Sequence, residues 1–157
     1  MALVALVIGT SVTAAATERV TISLVLTSAL AWAFVPIMQL GTGIWLVRTA
    51  GVSRSVPVLE RYFDTHRPWS LFLLAAHAVL LAWPASHAFA LLFLPLAGIP
   101  IGLTVLSLNA LCREQLGMPA AAARRAVWIH QAFTYLVVIA YGAWAGAYLP
   151  RLVGLFS

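Results

Sequence analysis

Lysine is absent from this 157-residue chain, acidic residues number only four, and cysteine occurs once. Without lysine there is no Schiff-base amine, no retinal attachment point and no P-loop cation. The single thiol, Cys112, forms neither an intrachain disulfide nor a cysteine-only metal site, and reads as an isolated thiol at the end of an apolar stretch. The four acids, Glu18, Glu60, Asp64 and Glu114, all fall between the apolar stretches. A carrier coupled to ions through a buried carboxylate is therefore not expected, nor is a hydrolase built on a carboxylate pair. There is also no G-x-S-x-G elbow and no H-E-x-x-H pair, so the chain carries no catalytic signature.

What is present is apolar. Hydrophobic residues make up 63% of the chain and charged residues 8%, against about 25% charged in an ordinary globular domain. The apolar runs have the length, roughly 20 residues, that crosses a hydrocarbon core of about 30 Å. These two facts predict an all-α membrane protein: a polytopic helical bundle in one domain spanning residues 1–157, with five transmembrane segments at about 2–16, 20–47, 69–84, 88–112 and 120–149. Residues 1–16 admit a signal peptide as the alternative to a first span. In the run after Trp69 a chain reversal is needed, at Pro84–His87 or, in competition, at Pro95–Pro100. Pro119 suits the start of the last helix, and Pro150 with Arg151 its end.

The formal charge is +5, carried by nine arginines. They form no dense basic face, so no nucleic-acid partner is expected. Arginines 48, 54, 61, 67, 113, 124 and 125 fall in the loops of one side, which predicts a bacterial inner-membrane location with the N-terminus cytoplasmic and the C-terminus outside. Within residues 48–68, Leu59, Tyr62 and Phe63 recur at helical spacing opposite Arg61 and Asp64. This predicts a short amphipathic helix lying at the bilayer interface, with Arg61, Arg67 and Trp69 contacting lipid head groups or a partner and His66 at the surface.

Polar groups inside apolar segments are the functional candidates. Counted inward from the nearest polar flank, Gln39 and His77 lie about 12–13 Å deep, His130 about 8 Å and Asn109 about 5 Å. With Tyr141 on the His130 stripe of the last helix, they form an expected polar layer. His77 and His130 are candidate ligands of a b-type haem or contacts for a quinone, because neutral imidazole serves both roles; hydrogen bonds between helices are the plainer use of the same groups. Gly98 with Gly102, and Gly142 with Gly146, have the small-xxx-small spacing that lets helices approach closely, within the chain, in a homo-oligomer or against other membrane subunits. The leading functional expectation is an accessory, assembly or scaffolding subunit of a membrane complex in contact with the lipid bilayer. A small redox subunit and a carrier of a small neutral or lipid-like substrate are the alternatives, the last predicting a water-filled cavity beside Gln39.

Overall fold

The computed structural model describes residues 21–22, 25–26, 29, 32–52, 55–82 and 95–153. The expected first span at 2–16, the Pro84–His87 turn and the signal-peptide alternative lie outside them. The described chain is all-helical: α1 (Phe34–Thr49), α2 (Ser55–Asp64), α3 (Arg67–Ala82), α4 (Gly98–Ala110), a π-helical turn (Leu111–Gln115) and α5 (Ala120–Val153). α1 packs on α2 and α3 on α4, while α5 closes against α1, α4 and the π turn.

Two glycines set the exits of these helices. Gly51 has φ +70°, and around it Gly51 N–H donates to Arg48 O and Val52 N–H to Val47 O, the paired bonds that end a helix on a left-handed residue. Gly117, at φ +63°, turns the chain after the π segment. There Leu116 N–H reaches back to Leu111 O and Met118 N–H to Cys112 O at 2.9 Å, the wider loop that an inserted residue creates. Pro119 precedes α5 and its carbonyl accepts the first bond, from Ala123 N–H at 2.9 Å. α5 runs through Pro150 and Arg151 to Val153, so these two residues do not end it; proline removes only its own N–H bond there, within the last turn.

The core joins Leu46 and Val47 of α1, Val58 and Tyr62 of α2, Leu108 of α4, Leu111 and Cys112 of the π turn, and Ala123, Ala126 and Val127 of α5. The small side chains of Ala123 and Ala126 let α5 come close to the π turn. Cys112 is wholly buried in this core. Gly43 provides the other close approach: a Cβ there would stand 2.9 Å from Tyr62 Cδ1 and 3.0 Å from Leu59 Cδ2. α2 is amphipathic as its spacing indicates, but its inward face, Val58 and Tyr62, is covered by α1 and the π turn rather than laid on an interface.

The five-span expectation is overturned. α1 and α3 have 16 residues each and α4 has 13, rising about 24 Å and about 20 Å at 1.5 Å per residue, short of the roughly 30 Å required. α5, with 34 residues, has the length, but Arg124, Arg125, His130 and Gln131 interrupt its first half. Among the described residues no helix is both long and apolar enough to cross a membrane, so the transmembrane and polytopic reading does not hold. Of the second predicted segment, 20–47, α1 begins at Phe34; most of the residues before it lie outside the described ones, and those described at 22, 25, 26, 29 and 32 are helical.

Candidate ligand cavity and its histidine network

Three stretches of chain carry the same spacing toward one cavity. Trp32, Val35, Pro36 and Gln39 come from α1 and the residues just before it; His66, Trp69, Ser70 and Leu73 from the α2–α3 junction and α3; Gln131, Thr134, Tyr135 and Val138 from α5. Each set is i, i+3, i+4, i+7, the spacing that lines one helix face. Met38 and Thr104 of α4 complete a partly open cavity of about 250 Å³ whose exposed wall is overwhelmingly apolar. Among the described residues no acid and no arginine lines it.

The residues of that wall hold an unusual concentration of unpaired polar atoms. Gln39 Oε1, His66 Nε2, Thr104 Oγ1, Gln131 Nε2 and Thr134 Oγ1 are buried without a hydrogen-bond partner. The Tyr135 hydroxyl has only an electrostatic contact with Trp69, outside hydrogen-bond geometry. An unpaired buried polar group costs about 1–3 kcal/mol, and native interiors contain few of them.

Beside the cavity, Tyr62 organises two histidines. Thr42 Oγ1 lies 3.0 Å from the Met38 carbonyl and 3.1 Å from that of Gln39, and 2.7 Å from the Tyr62 hydroxyl. That hydroxyl is 2.6 Å from His130 Nε2. Carbonyls only accept, so the arrangement with most bonds has Thr42 donating to the helix backbone, Tyr62 donating to Thr42, and His130 Nε2–H donating to Tyr62. His130 Nδ1 is then a bare acceptor, and it has no partner. His66 Nδ1 lies 3.0 Å from the Tyr62 backbone carbonyl, a contact that assigns the proton to Nδ1. Thr65 Oγ1 stands 3.1 Å from the same nitrogen and itself donates to Tyr62 O at 2.7 Å. His66 Nε2 is therefore a second bare acceptor. The two imidazole rings are 5.4 Å apart.

Burial keeps this network neutral. It pushes the Tyr62 phenol far up. The His130 imidazolium is disfavoured first by burial and second by His66, which brings its pKa down to about 4. Burial also pushes His66 down, partly offset by its bond to the Tyr62 carbonyl. His66 is 4% exposed and His130 2%, so the expectation of a surface His66 is corrected.

The expected polar layer is divided among separate settings. Gln39 stands on the cavity wall, His130 in the Tyr62 network, and Asn109 is half-buried on α4 with its Oδ1 unpaired. Tyr141 joins an aromatic group, stacked 4.0 Å from Phe34 and 6.2 Å from Trp32. The His77 side chain lies outside the described residues, as do the surroundings of Gly142 and Gly146. Gly98 and Gly102 are exposed, and a Cβ at either would meet nothing within 4 Å. Arg61 is exposed, and Arg67 pairs with Asp64 at 3.0 Å, an exposed contact of little energetic weight. Trp69 stands in the cavity wall, edge-on to Tyr135 at 6.4 Å. Among the described residues no three His, Cys, Asp or Glu side chains are grouped to hold a metal ion.

Compared with protein-family models, curated proteins and solved structures, the chain finds no match. Sequence reasoning missed Tyr62, His66, Thr104 and Gln131 as site residues; the repeated i, i+3, i+4, i+7 spacing is the signal that identifies His66 and Gln131, whereas Tyr62 and Thr104 lie outside it.

Proposed function

We propose that this protein binds a small neutral molecule, flat or aromatic, in the cavity between α1, α3, α4 and α5. The observation that carries the reading is the set of five unpaired buried polar atoms on residues lining a single apolar cavity. With no charged side chain among the described residues of the wall, a charged guest would lose its hydration without compensation. Trp32, Trp69 and Tyr135 supply ring faces and edges for a planar guest. A cavity of roughly 150 Å³ takes a benzene; in proportion, the 250 Å³ here takes about ten non-hydrogen atoms. At about 0.5–0.7 kcal/mol per atom this corresponds to a dissociation constant of tens to hundreds of micromolar. The reading departs from the carrier alternative, which expected a water-filled cavity beside Gln39; the wall there is apolar.

Its test is titration calorimetry of the purified protein with a panel of neutral one-ring and two-ring aromatics, beside a Val35→Phe variant that fills the cavity. Saturable binding that the variant loses supports the reading. Binding that is absent, or that survives the filled cavity, defeats it.

A second reading, assembly with another protein, is favoured by the outer face of α5, where Trp128, Leu136 and Ile139 are each more than 65% exposed. A covering helix from another chain would bury them and gain about 25 cal/mol per Å². Replacing Leu136 with Glu should then abolish co-purification of that partner, and an unchanged set of co-purifying proteins counts against it.

A further inference from the structure

We propose that the guest of this cavity is a phenol-type molecule, a neutral aromatic ring whose hydroxyl donates its proton to His66 Nε2. The inference rests on the ligand-binding reading above and adds the chemical class. The free atom of His66 has a direction fixed by its surroundings, as Gln39 Oε1 and Gln131 Nε2 have by their own chemistry. His66 Nδ1 faces a carbonyl at 3.0 Å and must carry the proton, which leaves Nε2 with a lone pair and no partner. An acceptor so placed selects a donor, and a guest without one leaves that lone pair desolvated and unmatched. Burial disfavours the imidazolium, so Nε2 stays in the accepting state.

The remaining groups fit the other side of a phenolic hydroxyl. Gln131 Nε2 is an unpaired donor and the Thr134 hydroxyl is unpaired, so either can donate to the phenol oxygen. Trp69, edge-on to Tyr135, supplies an aromatic wall beside His66 in the same i, i+3 sequence. A hydroxyl that donates once and accepts once, attached to a flat ring, uses each of these features. A hydrocarbon of the same size uses only the ring contacts, and an ether can accept from Gln131 or Thr134 but has no proton to donate to His66.

The experiment compares phenol with anisole, its methyl ether, by calorimetry on the full chain. Wild type is expected to bind phenol about tenfold more tightly than anisole, the worth of one net hydrogen bond. In His66→Phe that preference should vanish while anisole affinity stays within about threefold of wild type. His66→Asn serves if the phenylalanine variant does not fold, because its amide can still donate to the Tyr62 carbonyl while the distal acceptor is gone. Equal binding of phenol and anisole by wild type overturns the inference and leaves the ligand-binding reading standing, and so does a phenol preference that survives in either variant. No binding of either probe overturns both.

Discussion

Acid should unfold this protein through His130. Its pKa falls from 6.5 in the unfolded chain to about 4 in the fold, so the unfolded state binds the proton first as pH drops. The stability this neutral imidazole contributes is complete above about pH 6.5 and is lost as pH falls from there toward 4, where the loss reaches about 3 kcal/mol at 1.36 kcal/mol per pH unit. The structural cause is specific: protonation puts a charge on Nδ1, which is buried and unpaired, beside a second histidine ring 5.4 Å away. A loss of that size is a large fraction of the roughly 5–15 kcal/mol that holds a domain together. The assay is urea unfolding followed by helical circular dichroism at half-unit steps from pH 7.5 to 4, for wild type and for His130→Gln, whose amide keeps a donor for the Tyr62 hydroxyl and does not titrate. Wild type should lose stability more steeply than the variant across this window. Parallel curves for the two proteins would refute the reasoning, since the buried imidazole would then contribute nothing to the pH dependence.

Other perturbations test the packing around the same network. Gly43→Ala places a methyl 2.9 Å from the Tyr62 ring, which is itself fully buried, so overpacking should cost about 1–3 kcal/mol in the same unfolding assay; an unchanged midpoint would mean that α1 and α2 separate freely. Tyr62→Phe leaves the His130 Nε2 proton buried without an acceptor, and a loss of about 1–3 kcal/mol is expected. Thr104→Val removes an unpaired hydroxyl from a residue 1% exposed and should raise the stability of the ligand-free protein by about 1 kcal/mol, a gain that thermal denaturation will show or fail to show. Cys112 is buried and its thiol is pushed up to about 11, so iodoacetamide at pH 8 meets about one thiolate in a thousand and should label the protein only after urea is added, as read by intact mass.

The helical character of the chain was legible residue by residue. The spacing of Leu59, Tyr62 and Phe63 marks α2, and Pro119 marks the start of α5. The membrane reading failed on helix length and polarity: α1, α3 and α4 have only 16, 16 and 13 residues, and α5 carries Arg124, Arg125, His130 and Gln131 in its first half. The cavity was half legible. Gln39 and His130 stood out because amide and imidazole groups are conspicuous in apolar surroundings, whereas Thr42 and Thr104 look like ordinary helix residues whose hydroxyls return to their own backbone. His66 read as a surface group because it sits among Asp64, Arg67 and other charged neighbours along the chain. Its burial comes from Tyr62 one turn before it, whose ring lies 4.8 Å away and whose carbonyl holds its proton, a relation that only the folded junction of α2 and α3 makes visible.

Tyr62 touches both halves of this arrangement, the backbone carbonyl holding the cavity histidine and the phenol holding the core one. Whatever occupies the cavity and whatever tightens the core are then linked through one residue, and linkage is reciprocal. A guest on His66 should disfavour the opening of the α1–α2 contact, and that opening should weaken the grip on the guest by the same factor; a change at Gly43, which lines no part of the cavity, acts on the opening side of this linkage. Affinity and local unfolding would be two measurements of a single coupling.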